Sequence, residues 1–186
     1  MISNKSYDLC VIGGGPAGII TVLEYNKLNP QNTILLVEYG FSGQPDKNSL
    51  DDTIDVKNPE NHHNPYYCTN KGLGGTSKTW GGRCVMYDEI DFMKRPSVDE
   101  DCTWDLNFFD EVKQYISKAA EYFECGEPKF NLNQIAEFKY TSIAENFQEG
   151  LITDRNLERW SLPTRFGERY REKLEEISNI KIIEGF

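Results

Sequence analysis

Tyr7-Asp8-Leu9-Cys10-Val11-Ile12-Gly13-Gly14-Gly15-Pro16-Ala17-Gly18 is the stretch that decides the fold of this chain. Its first six residues form a short, mostly apolar run of the kind a buried parallel strand shows, and they lead straight into a Gly-x-Gly-x-x-Gly turn. After the turn, Ala17, Ile20, Leu23 and Leu28 recur near every three or four residues, a helical pattern that Asn29-Pro30 ends. Thr33-Ile34-Leu35-Leu36-Val37 then reads as a second buried strand, closing on Glu38, twenty residues past Gly18. Strand, turn, helix, strand and terminal acid is the context in which such a glycine motif binds a dinucleotide. Gly13 allows the tight turn, Gly15 lets the backbone approach a diphosphate, and Gly18 lets helix and strand pack closely. The helix opens with Pro16 and Ala17 and turns its orphan N–H groups toward the anion. Gly13, Gly15, Pro16, Ala17 and Gly18 are therefore candidate diphosphate-binding residues. Glu38 is placed to accept hydrogen bonds from both ribose hydroxyls and to repel a 2′-phosphate.

About sixty residues further on, Gly72-Leu73-Gly74-Gly75-Thr76-Ser77-Lys78-Thr79-Trp80-Gly81-Gly82-Arg83-Cys84 forms a second glycine-rich element. A nucleotide fingerprint needs one backbone stretch against a pyrophosphate, whereas a flavin dinucleotide must also be held along its ribitol and ring. The pair of motifs points to FAD rather than NAD, on an α/β, Rossmann-like FAD-binding domain with a parallel sheet.

The residues Asp8 to Gly18, Leu36-Val37-Glu38-Tyr39-Gly40, Gly72 to Ser77 and Trp80-Gly81-Gly82-Arg83 together resemble the glucose-methanol-choline family of FAD-dependent oxidoreductases. Asp88 to Pro96 and Trp104 look like its bacterial choline-dehydrogenase-like branch. The resemblance is specific over residues 7–40 and 71–96 and only general elsewhere. It implies that Gly74, Gly75, Thr76 and Ser77 contact the cofactor, with Trp80 and Gly81 near the isoalloxazine. Glycines expose backbone N–H groups, and two hydroxyls add donors without bulk. Some relatives, the pyranose oxidases among them, link FAD covalently through a histidine just before the tryptophan. Thr79 stands there in this chain, so the flavin is expected to be noncovalent.

The resemblance further implies oxidation of an alcohol or sugar substrate, a histidine removing the hydroxyl proton while hydride passes to the flavin. The family's substrate domain and catalytic histidine belong to segments not seen in these 186 residues. The sheet is thus expected to be incomplete, the chain being the N-terminal portion of a longer oxidoreductase or a truncated gene product; expressed alone it is expected to be inactive and to bind FAD poorly if at all, and no catalytic residue is assigned. Two other readings stand beside this one. A different flavoprotein, of amine oxidase or reductase type, shares residues 7–40 but lacks the second motif. A noncatalytic nucleotide-binding module binds flavin without turnover.

Thirty acidic against twenty basic residues give a net charge of −10, which repels nucleic acid and anionic membranes and argues against either as a partner. Neither a membrane span nor a signal peptide is indicated, and the protein is expected to be cytoplasmic. Cys10, Cys68, Cys84, Cys102 and Cys125 are widely spaced without a Cys-x-x-Cys, which argues against a zinc ribbon or a disulfide framework. Cys10, inside the first strand, reads as a small buried apolar residue. His62 and His63 fall in a loop rich in proline and asparagine, without companion ligands at metal spacing, and no metal site is expected.

Beyond the dinucleotide-binding stretch of 7–40, residues 41–70 read as a loop excursion, 71–96 as the second cofactor-contacting motif, and 97–186 as a helical segment returning to the sheet. Within the last, Phe109, Val112, Ile116, Ala119 and Phe123 lie on one helical face, with Asn107 as N-cap and Gly126 as stop. Phe166, Tyr170, Leu174 and Ile177 form another stripe, and Lys181-Ile182-Ile183-Glu184 a last strand.

Overall fold

The β-branched and leucine-rich segments flanking the first glycine turn do pair as parallel strands. In chain order the elements are β1 (Leu9–Ile12), α1 (Pro16–Leu28), β2 (Ile34–Glu38), β3 (Arg83–Cys84), α2 (Leu106–Lys113), α3 (Ile116–Phe123), β4 (Arg159–Trp160), α4 (Phe166–Glu176) and β5 (Ile180–Glu184). The computed structural model describes residues 5–41, 56–63, 69–94, 104, 106–135 and 153–186, and these form a mixed α/β structure. The chain divides into two compact units, one of Met1–Trp80 with Thr164–Phe186 and the other of Gly81–Pro163.

In the first unit, β1, β2 and β5 make a parallel sheet in that order, with Leu9 opposite Ile34, Ile34 opposite Ile180, and Glu38 opposite Glu184. Asp8 fastens the entry of this sheet, its carboxylate accepting the Thr33 N–H at 2.7 Å and the Thr33 hydroxyl at 2.8 Å. Helices α1 and α4 pack against the sheet and each other. Ile34 and Leu36 are buried together with Ile19, Val22 and Leu23 of α1 and Phe166 and Leu174 of α4. Removing each such side chain from water contributes about 1.5–3 kcal/mol. The Arg171 guanidinium ties α4 to the last strand, donating to Glu184 at 2.6 Å.

Three expectations need correcting here. β1 is neither buried nor central. It is an edge strand among the described residues, so while Leu9 and Val11 are half covered, Cys10 is exposed and Ile12 is 86% exposed. The wholly buried strand is β2, which has a neighbour on each side. The buried stripe of α1 is Ile19, Val22 and Leu23. Ala17 is exposed within the first turn, Ile20 is only half-buried, and Leu28 sits exposed at the last helical position.

In the second unit, β3 and β4 form a two-residue antiparallel ribbon, Arg83 opposite Trp160 and Cys84 opposite Arg159. The Arg83 guanidinium donates to Glu158. Phe92 is buried among aromatic rings, with centroids 4.9 Å from Phe109 and 5.7 Å from Trp104 and Tyr87. The single helix expected around Phe108–Phe123 is two. Tyr115 N–H bonds the Val112 carbonyl in a tightened turn that separates α2 from α3. Consequently Phe109, Ala120 and Tyr122 are buried while Ala119 is exposed. Asn107 lies inside α2 rather than capping it, and the helix stops at Glu124, whose φ of 51° is already left-handed, two residues before Gly126.

Most of the expected 41–70 excursion, with Cys68, lies outside the described residues, as does Cys102. Within the excursion Pro59–Asn61 makes a short 3-10 turn, and His62 and His63 are exposed. No helix among the described residues is long and apolar enough to cross a membrane.

Candidate functional site

Each glycine of the first motif is held differently. Gly13 follows β1 with φ +105°, a conformation that side chains rarely tolerate, and its N–H donates to the Val37 carbonyl at 2.7 Å. A Cβ on Gly18 would overlap the Gly13 carbonyl oxygen, so packing alone demands glycine there. Gly15 is the N-cap of α1, with extended backbone, φ −73° and ψ −178°, and no side chain caps the helix. Among the described residues, a Cβ on Gly15 would meet nothing within 4 Å. Pro16 opens the helix, where its missing N–H is no loss. The first-turn N–H groups of Ala17 and Gly18 have no acceptor built into the helix itself, which makes this end suited to an anion.

The second motif lies directly against the first. Gly74 N–H donates to the Gly14 carbonyl at 2.7 Å, and a Cβ on Gly75 would stand 3.2 Å from Gly15 Cα. Gly75–Lys78 then form a 3-10 turn whose hydroxyls are used locally. Ser77 is buried, donates to the Gly74 carbonyl at 2.6 Å and accepts the Phe166 N–H at 3.0 Å. Thr76 is exposed, its hydroxyl oxygen accepting the Asn70 N–H at 3.3 Å, and the Thr79 hydroxyl accepts from the Asn70 amide at 2.6 Å. The Trp80 indole N–H donates to the Thr164 carbonyl at 2.9 Å. Gly81 opens the second unit, exposed, and no described residue comes within 4 Å of its Cβ position.

Glu38 joins the two motifs. It ends β2 beside β1 and is 7% exposed. One carboxylate oxygen accepts the Gly14 N–H at 2.7 Å, and the other accepts those of Gly40 and Gly72, both at 2.9 Å. A carboxylate offers about four acceptor directions, so this one retains about one for a ligand.

The structure thus brings Gly13, Gly15, Pro16, Ala17, Gly18, Glu38, Gly74, Gly75, Thr76 and Ser77 together within one unit, with Trp80 at its edge. Sequence reasoning missed four contributors, Gly40 among them, whose N–H also donates to Glu38. Gly14 and Gly72 donate to Glu38, and Gly167 lets α4 meet the second motif, because a Cβ there would overlap the Leu73 carbonyl oxygen. The signal for Gly167 was available, as a glycine inside a helical stripe marks a close approach.

In the second unit, burial pushes the Cys84 thiol up to about 11, with the neighbouring Cys125 thiol adding to the effect. Among the described residues no group of three or more His, Cys, Asp or Glu side chains is placed to hold a metal ion. Compared with known proteins, the chain matches no family model and no curated sequence.

Proposed function

We propose that the two glycine motifs bind FAD and that the chain is the FAD-binding portion of an oxidoreductase acting on CH–OH groups of alcohols or sugars. The single observation that carries this reading is Gly15. The φ of Gly13 and the packing of Gly18 explain those glycines from within the chain, but neither strain nor crowding by the described residues explains glycine at 15. A backbone kept bare at an uncapped helix N-terminus, beside a second glycine turn, fits the approach of a diphosphate.

On this reading, Gly13, Gly15, Pro16, Ala17 and Gly18 hold the diphosphate. Thr76 offers its hydroxyl along the ribitol, Gly74 and Gly75, whose N–H groups are taken by the Gly14 and Gly72 carbonyls, keep the backbone beside it bare, and Trp80 and Gly81 belong near the ring. Ser77 acts by keeping the second turn in shape, its hydroxyl being shared between Gly74 and Phe166. When bound, the flavin supplies hydride acceptance. The assignment to a Rossmann-like fold and to the glucose-methanol-choline family rests on the motifs quoted above.

The test is to purify the protein as its gene encodes it, record its visible spectrum, and precipitate it with acid. A yellow protein that yields a colourless pellet and a yellow supernatant is expected, because Thr79 cannot form a histidyl link. Protein that is colourless and takes up no FAD on dialysis would overturn the cofactor. Yellow retained in the pellet would overturn noncovalent binding, and flavin that no alcohol or sugar bleaches would overturn the reaction class.

A further inference from the structure

We propose that Glu38 is a positioning residue that latches the second glycine motif onto the first, and that the adenosine ribose is held there through one hydroxyl rather than two. The latch stands on this chain's geometry alone. The ribose part rests on the reading of the site as a nucleotide cradle.

Three backbone segments distant in sequence converge on one buried carboxylate. They are the turn at Gly14, the strand exit at Gly40 and the start of the second motif at Gly72. Gly40 and Gly72 themselves pack so closely that a Cβ on Gly40 would overlap the Gly72 nitrogen. Glu38 therefore supplies the acceptor that lets two N–H groups pointing the same way lie side by side in a buried place. The third bond fixes Gly14, whose own carbonyl accepts the Gly74 N–H at 2.7 Å. The loops are thus tied through a closed ring of contacts: Glu38 to Gly14, Gly14 to Gly74, and Gly72 back to Glu38. A carboxylate at the end of a dinucleotide-binding strand can take both ribose hydroxyls if its lone pairs are free. Here three of about four acceptor directions are already filled by N–H groups, leaving room for a single donor.

All three protein partners are donors, so the isosteric amide is no substitute. Gln has one acceptor oxygen, and its NH2 would confront an N–H of Gly14 or of Gly40 and Gly72. A residue that merely filled space would be rescued by Glu38→Gln.

The experiment has two arms on the purified protein. In the first, amide hydrogen exchange is followed by NMR for Gly14, Gly40 and Gly72 in wild type, Glu38→Gln and Glu38→Ala, without nucleotide. Faster exchange at these three amides by about tenfold or more in both variants, with protection in α1 and α4 retained, is expected. Unchanged exchange, or rescue by Gln, would overturn the latch, and so would loss of protection everywhere. In the second arm, ADP, 2′-deoxy-ADP and 3′-deoxy-ADP are titrated into wild type from which any flavin has been removed. One deoxy analogue should bind about tenfold or more weaker than ADP and the other equally well. Equal losses for both, or no loss for either, would overturn the single-hydroxyl assignment. No binding of ADP at all would overturn that assignment together with the cofactor reading, while the first arm still decides the latch.

Discussion

The Ser77 hydroxyl accepts the Phe166 N–H at 3.0 Å, so the second glycine motif provides the N-terminal cap that α4 lacks in its own sequence. Arg165, at the N-cap position, contributes no side-chain bond. The same hydroxyl donates to the Gly74 carbonyl at 2.6 Å, and one side chain therefore shapes the turn and starts the helix.

Replacing Ser77 with alanine should lower stability by about 1–3 kcal/mol, the range for losing a cap and leaving a buried N–H unsatisfied. Chemical denaturation measures it. If Ser77 instead acted mainly on a ligand, the variant would keep wild-type stability and lose affinity.

Gly167→Ala separates helix propensity from packing. In an exposed helix the change stabilises by about 1 kcal/mol. In the first turn of α4, the added Cβ would overlap the Leu73 carbonyl oxygen and crowd the Gly74 nitrogen, both backbone atoms that cannot swing away. Overpacking of this kind costs about 1–3 kcal/mol or more, so the net effect should be a lower thermal midpoint. A midpoint at or above wild type would show that the second motif does not lie against α4.

The strand, turn and helix around Gly13–Gly18 were legible because local pattern determines them: an apolar run, spaced glycines and a proline at the first helical position all agree. Cys10 and Ile12 were misread as buried because apolar content cannot distinguish a central strand from an edge strand. Neighbours decide that, and β5 joins β2 rather than β1. The break between α2 and α3 was invisible for a similar reason, since Phe109, Val112, Ile116 and Phe123 keep a helical spacing across it. Within the site, spacing located Glu38 correctly at the end of β2. It could not show that Gly40 and Gly72, thirty-two residues apart, would turn their N–H groups onto its carboxylate.

Asp8 predicts an acid-sensitive joint between β1 and β2. The Thr33 N–H, and after it the Thr33 hydroxyl, hold its carboxyl below the ordinary 3.8. A group whose pKa is depressed by folding adds stability above its unfolded value, and that stability is lost as pH falls through the folded value. Wild type should therefore lose stability below about pH 4, and Asp8→Asn should be less stable at neutral pH with a flatter acid limb. Denaturation midpoints across that range check it, and parallel curves for the two proteins would remove Asp8 from the account.

Thiol labelling should sort the cysteines by environment. Cys10 is exposed on the edge strand, whereas Cys125 is buried and Cys84 half-buried. With burial pushing its pKa up to about 11, Cys84 is held as the unreactive thiol at pH 8. Iodoacetamide on native protein, followed by peptide mapping, should mark Cys10 well before Cys84 or Cys125. Equal labelling would mean that the second unit opens readily.

Gly15→Ala and Gly18→Ala differ by one methyl group at two positions of the same motif, yet should fail in different ways. At Gly18 the new Cβ would overlap the Gly13 carbonyl oxygen and press on Val11, so the turn or the helix must move. A loss of about 1–3 kcal/mol should follow, with binding reduced as a consequence. At Gly15 the Cβ meets none of the described residues and φ is −73°, within reach of any residue. Alanine is a poorer N-cap than glycine, but it also narrows the unfolded ensemble by about 0.4–1 kcal/mol. The two effects nearly offset, and stability should stay within about 1 kcal/mol of wild type. The methyl group occupies the space that the proposed diphosphate needs, so FAD and ADP affinity should fall by about tenfold or more while the fold persists. Measuring unfolding and ADP binding on both variants places each on two axes. A stable Gly15→Ala protein that binds ADP as well as wild type would mean that nothing approaches this turn, and the case for a nucleotide at the start of α1 would fall with it.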